Sequence, residues 1–122
     1  MLHILMVDDE PDLDLLIQQR FRKKIKEGVF QFSFARNGES AKQILTEHSD
    51  VRLVITDLNM PEMNGIQLLI YVKKRYPTIN LIVISAYSDS NNTLFAKNAG
   101  ASDFLFKPLD LNEFEEKLNA HL

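Results

Sequence analysis

The sequence predicts a doubly wound α/β sandwich over residues 1–122: a parallel five-stranded sheet with helices packed on both faces. Three observations carry that prediction. Five short apolar runs alternate with helical patterns along the whole chain, the order that a parallel sheet with crossover helices requires. The run Leu81-Ile82-Val83-Ile84 is unbroken by a polar residue, as befits a central strand buried on both faces. The run 30–34 instead alternates Phe30, Phe32 and Phe34 with Gln31 and Ser33, as befits an edge strand covered mainly on one face. For five strands the expected order is 2-1-3-4-5, which puts the alternating second strand at an edge.

Each element has a local reason. Leu2–Val7 is an apolar first strand. From Pro11 the pattern turns helical, with Leu13, Ile17, Phe21 and Ile25 repeating every fourth residue as one buried stripe. Proline suits a first helical turn, and Gly28 is a natural stop. After the second strand, Asn37 is placed to cap a helix that buries Ala41, Ile44 and Leu45. Leu53–Ile55 forms the third strand, and Ile66, Leu69 and Ile70 line the third helix, which Pro77 ends near Tyr76. Asn64-Gly65 has the composition of a hairpin turn, but the helical spacing behind it marks a loop-to-helix junction. The fourth helical pattern, Ser88–Ala99, is weak, because Asn91, Asn92 and Thr93 are poor helix formers. Gly100 ends it and Asp103–Phe106 forms the fifth strand. Asp110 with Glu113 makes an acidic capping box for a last helix striped by Leu111, Phe114 and Leu118.

Composition narrows the function. The chain has no cysteine, which excludes disulfides, zinc–thiolate sites and thiol catalysis. Its formal charge of −3 argues against a broad polyanion-binding surface. The basic clusters at Arg20–Lys26 and Lys73–Arg75 sit late in their helices, where cations meet the helix dipole favourably, so no direct nucleic-acid binding is expected. His3, His48 and His121 are far apart in sequence and follow no ligand spacing, so no metal site is expected on them. Asp8, Asp9 and Glu10 interrupt the apolar start as no signal peptide would. No apolar run approaches the ~20 residues that cross a bilayer. A cytoplasmic single domain with no membrane association is the expectation.

The informative polar residues stand at strand ends. Asp8 and Asp9 follow the first strand, Asp57 the third, Ser85 ends the fourth and Lys107 the fifth. In an open parallel sheet the carboxyl ends of the strands form the ligand-binding edge, so these groups should converge on one cleft. Three ionised carboxylates packed together repel one another and call for a cation. Oxygen-only donors favour a hard ion such as Mg2+, which together with Lys107 would balance the three acids. One carboxylate could then accept a phosphoryl group in an in-line transfer, with a hydrogen bond from Ser85.

Val7-Asp8-Asp9-Glu10, Asp57-Leu58-Asn59-Met60-Pro61 with Gly65 behind it, Ser85-Ala86 and Lys107-Pro108 together resemble the bacterial response-regulator receiver family of two-component phosphorelays, a flavodoxin-like fold. The resemblance runs over essentially the whole chain. It implies that Asp57 is the phosphoacceptor, that Asp9 binds Mg2+ directly and Asp8 mainly through a metal-bound water, and that the Asn59 backbone carbonyl completes the protein ligands. Lys107 would pair with the phosphoryl oxygens and Lys107-Pro108 would be a cis peptide. Ser85 and Phe104 would form the switch, by packing alone at Phe104 because that ring has no hydroxyl. Asn59 and Tyr87 would border the path of attacking water and tune hydrolysis. The implied partners are a histidine kinase or histidine phosphotransfer protein, and an output domain or protein bound through the fourth helix, fifth strand and fifth helix. A homodimer is a further possibility. The protein would be a self-phosphorylating and self-dephosphorylating switch, not an enzyme. It would be either stand-alone or a receiver cut from a larger protein; no dedicated partner is marked, which leans to the second.

Three other readings share parts of this pattern. A flavodoxin-like mononucleotide binder would have to hold an anionic phosphate among three acids. A phosphatase with an aspartyl nucleophile would need a further acid–base residue and a cap domain. A partner-binding receiver that is not regulated by phosphorylation would not need the intact acidic set and Lys107.

Overall fold

The computed structural model describes residues 1–58, 65–86 and 90–122. Five parallel strands, β1 (Leu2–Val7), β2 (Phe30–Ala35), β3 (Val51–Asp57), β4 (Asn80–Ala86) and β5 (Asp103–Lys107), form one sheet in the order β2-β1-β3-β4-β5. The helices are α1 (Pro11–Arg20), α2 (Arg22–Lys26), α3 (Gly38–Glu47), α4 (Gly65–Arg75), α5 (Ser90–Asn98) and α6 (Leu111–Asn119). The predicted sandwich and strand order are therefore present.

Side-chain alternation divides the core into two layers. Leu5, Val7, Val54, Leu81 and Val83 face α3, α4 and α5, meeting Ala41, Leu45, Leu68, Leu69, Val72 and Ala96. Ile4, Met6, Leu53, Ile55, Ile82, Ile84 and Leu105 face α1 and α6, meeting Ile17, Phe21, Phe114 and Leu118. Both faces of the central strands are thus dry, which is why their sequences read as continuous apolar runs. β2 is one edge of the sheet and β5 the other, and Gln31–Phe34 of β2 are only half-buried.

Several details depart from the sequence reading. The first helical stretch is divided in two at Phe21, whose φ of −104° and ψ of 16° leave the helical region. Its N–H still bonds the Ile17 carbonyl at 3.0 Å and its carbonyl accepts from Ile25 at 2.8 Å, so the stripe survives the break. In α4 the buried residues are Leu68, Leu69 and Val72, while Ile66 is half-buried and Ile70 is 48% exposed. The apolar residues of this helix cover about half of its circumference, wider than the buried stripe, and Ile66 and Ile70 stand at one margin of that arc. The strands β3, β4 and β5 each run past their apolar cores into polar residues, ending at Asp57, Ala86 and Lys107, because ladder pairing continues where hydrophobicity stops. Both predicted N-cap residues accept: Asn37 from the Ser40 N–H at 2.8 Å, and Asp110, the first half of the predicted box, from the Asn112 and Glu113 N–H groups. Of the basic cluster, Arg20 and Lys24 pair with Glu115 on α6 at 3.3 and 3.0 Å, so two of its charges tie helices together.

Candidate functional site

Register brings the acids together. Val7 pairs with Thr56 across β1 and β3, so Asp8 and Asp57 each lie one residue beyond a matched pair and project to the same face. Asp57 in turn pairs with Ile84, and Ala86 pairs with Lys107. By the same alternation Lys107 shares the face of Leu105, toward α1 and α6, with both acids. Ser85 and Phe104 project to the opposite face, toward α5. The sheet thus separates a charged cluster from a polar–aromatic pair one residue away.

The cluster is tight. Carboxylate oxygens of Asp8, Asp9 and Asp57 all lie within 4.8 Å of one another. Asp8 and Asp57 are buried and Asp9 is exposed. Lys107 Nζ donates to Asp57 Oδ2 at 2.6 Å, and the Lys107–Pro108 peptide is cis. Asp8, Asp57, Lys107 and Pro108 border a cleft of about 210 Å³ completed by Glu10, Leu13, Ile84 and Leu109. Burial alone would lower the Lys107 ammonium. The hydrogen bond to Asp57 and the charges of Asp57, Glu10 and Asp8 outweigh it and hold Lys107 above its ordinary value.

Asp8 is pushed up to about 6, foremost by burial, then by the charges of Asp57, Glu10 and Asp9; the Glu10 N–H, 3.0 Å from Oδ1, opposes them. A raised carboxylate lowers stability as pH rises between its unfolded and folded values, because the native state must give up a proton that the unfolded chain has already lost. In metal-free protein the window is therefore pH 3.8 to about 6, at a cost of about 2–3 kcal/mol once complete. Asp8→Asn should recover stability of that order at pH 7.5 and almost nothing at pH 3.5, as read by urea denaturation at both values.

A backbone approach fixes Asp57 from behind. The Gly65 N–H donates to the Leu58 carbonyl at 2.9 Å, and the Leu58 N–H donates to Ile84 at 3.1 Å. A Cβ on Gly65 would lie 2.6 Å from Leu58 Cα and would overlap the Asp57 carbonyl oxygen, so only glycine fits this start of α4.

On the other face, the fully buried Ser85 Oγ is 2.9 Å from Thr93 Oγ1 on α5 and donates to the Ala86 carbonyl at 3.2 Å. Thr93 is a site residue that sequence reasoning noted only as a poor helix former. Phe104 is half-buried against the α3–α4–α5 layer. Asn59 and Tyr87 lie outside the described residues. His3 and His48, treated in the sequence reading as unrelated, have ring centroids 5.6 Å apart.

A family model described as the response regulator receiver domain matches residues 4–119. This chain belongs to the response regulator receiver family. It is 30% identical over 117 residues to a chemotaxis protein CheY homolog of Campylobacter jejuni, covering 94% of this chain and 88% of that one. It is 32% identical to the DNA-binding transcriptional regulator NtrC of Proteus hauseri over 91% of this chain, which is only 22% of that protein. A crystal structure of a response regulator receiver protein from Pseudomonas putida superposes with a TM-score of 0.87 at 25% identity, covering 98% of this chain and 96% of the other. Receiver domains belong to two-component systems, where they are signalling switches and not enzymes in the ordinary sense. No described helix is long and apolar enough to cross a membrane.

Proposed function

We propose that this receiver accepts a phosphoryl group from a histidine kinase or phosphotransfer protein on Asp57, and converts it into a change of the surface formed by α5, β5 and α6. The observation that carries this reading is the 2.6 Å bond from Lys107 to a buried Asp57 flanked by two further carboxylates. Transfer forms a bond from an Asp57 carboxylate oxygen to phosphorus while the donor P–N bond breaks, its electron pair leaving with the imidazole. Asp57 then loses its own charge and gains about two, a net addition of roughly one negative charge in the cleft. Lys107, on a flexible stem, follows that charge from the carboxylate to the phosphoryl oxygens.

Asp8, Asp9 and Asp57 suit Mg2+, because they offer only oxygen donors and the burial of Asp8 leaves its charge poorly solvated; the Asn59 carbonyl is the expected fourth protein ligand. When bound, Mg2+ would supply charge neutralisation at the phosphoryl oxygens. Leu15 and Leu16 are exposed on α1, the helix whose Leu13 lines the cleft, and offer apolar surface for docking of the phosphodonor protein.

Coupling runs through Ser85. Its hydroxyl donates to the Ala86 carbonyl and is tied to Thr93; a phosphoryl oxygen would compete with that carbonyl for the Ser85 proton and draw Ser85 away from Thr93. α5 is poised to respond, because its only buried residue is Ala96 and its asparagines favour non-helical states. Leu94 and Phe95 are 58% and 55% exposed on it, apolar area available to an output domain or partner. Phe104, packed beneath α5, would reorient with it, and Tyr87 and Asn59 would tune the lifetime of the acyl phosphate.

Incubation with Mg2+ and acetyl phosphate should add one phosphoryl mass per chain; an unchanged mass under conditions that label another receiver would overturn the reading. Thr93→Val removes the hydrogen bond that tethers Ser85 to α5 and should tighten beryllofluoride binding about 2–10-fold, the worth of one net hydrogen bond. Fluorine NMR titration of the two proteins measures it, and equal affinities would remove Thr93 from the coupling.

A further inference from the structure

A second cluster lies at the opposite end of β1. β1 and β3 pair His3 with Val51, which carries Asp50 and the end of α3, including His48, against the buried His3 ring. Ligand atoms of His3, His48 and Asp50 lie within 4.8 Å of one another. Nothing in the phosphoacceptor cleft uses them; five residues of extended chain, about 16 Å, separate His3 from Asp8.

We propose that His3, His48 and Asp50 form a zinc-type metal site at the amino-terminal edge of the sheet. His3 is the anchor. It is 1% exposed, and its Nε2 lies 2.7 Å from Ser33 Oγ on β2. With the ring proton on Nε2 and donated to Ser33, the tautomer is set and Nδ1 presents its lone pair, the arrangement in which metal-ligating histidines are held from behind. Nδ1 is buried and makes no well-aligned hydrogen bond; Asp50 Oδ2 lies 3.0 Å away, and the His3 ring holds the Asp50 carboxyl below its ordinary value. The buried nitrogen and the carboxylate oxygen thus face each other at 3.0 Å without a well-aligned hydrogen bond between them. Two ligands of one ion have that relation, since each points at the ion and not at the other.

The chemistry selects the metal. Two imidazoles and one carboxylate suit zinc, nickel or copper, whereas the all-oxygen cleft suits magnesium. Donors on one tetrahedral ion at 2.0–2.1 Å are about 3.3 Å apart, so His3 and Asp50 are close to that spacing already. His48 and Asp50 are exposed and free to complete it by side-chain rotation, with solvent in the fourth position. Asp50 also borders an open groove of about 490 Å³ with Arg52 and Asn80, which gives an ion a route from solvent.

The test is calorimetric titration of the intact chain with Zn2+ at pH 7.5, beside His48→Ala, Asp50→Asn and Asp57→Asn. Both cluster substitutions fall on exposed residues, so the fold is retained where a His3 variant could fail to fold. The expected result is one zinc per chain in the micromolar range, weakened at least about tenfold by either cluster substitution and unchanged by Asp57→Asn. Saturating zinc should raise the melting temperature on the order of 10 °C, and nitrogen-15 spectra should show the His3 and His48 rings shifting while His121 does not. No binding, or binding lost in Asp57→Asn and kept in His48→Ala, would overturn the site and leave the cleft assignment intact.

Discussion

Asp57→Asn should reduce labelling by acetyl phosphate to background while the protein remains folded. The amide matches the carboxylate in shape and still accepts from Lys107, so the ion pair becomes a hydrogen bond and the surrounding ladder is undisturbed. Its oxygen, however, is no anionic nucleophile, and covalent transfer depends on that charge. Asp50→Asn, in the turn that leads into the far end of the same strand, should label like wild type. Intact-mass measurement of the three proteins over time decides the matter. Full labelling of Asp57→Asn would move the acceptor elsewhere.

Gly65→Ala should lower stability by about 2–4 kcal/mol, a fall in melting temperature on the order of 10 °C. Two effects oppose each other here. Alanine favours helix over glycine by about 1 kcal/mol, and α4 begins at this residue. Against that, the new methyl group would meet Leu58 Cα at 2.6 Å and the Asp57 backbone, neither of which is a flexible side-chain end that can turn away. The clash wins, and relieving it displaces Asp57 itself. Labelling should therefore slow as well, by as much as about a hundredfold if the carboxylate moves an ångström. Differential scanning calorimetry together with the labelling rate reports both effects. A variant as stable as wild type would mean that the end of β3 yields easily.

Those two residues also show what a sequence discloses. The sandwich was legible because burial on two faces leaves unbroken apolar runs, and the edge strand was legible because Gln31 and Ser33 interrupt its phenylalanines. The cleft was legible too, since strand ends in a parallel sheet share one edge, and Asp8, Asp57 and Lys107 need only that topology to meet. Their common face follows from register, which the apolar runs left undetermined by a residue or two. The break at Phe21 was hidden, as a single departure in dihedral angles leaves hydrophobic period intact. The inner face of α4 was hidden because Ile66, Leu68, Leu69, Ile70 and Val72 spread over about half of its circumference, and the buried centre at Leu68, Leu69 and Val72 leaves Ile66 and Ile70 at one margin. Two contacts between elements were hidden. Thr93 reaches Ser85 only once α5 is folded over β4, and His3 meets His48 only through the pairing of β1 with β3.

The measurement that bears most directly on the account is chemical trapping of the phosphorylated protein. Borohydride reduces an acyl phosphate to the alcohol, so peptide mapping after labelling in Mg2+ should find homoserine at position 57 alone, in proportion to the phosphoryl incorporated. Homoserine at position 8 or 9, or incorporation that leaves position 57 as unmodified aspartate, would contradict it.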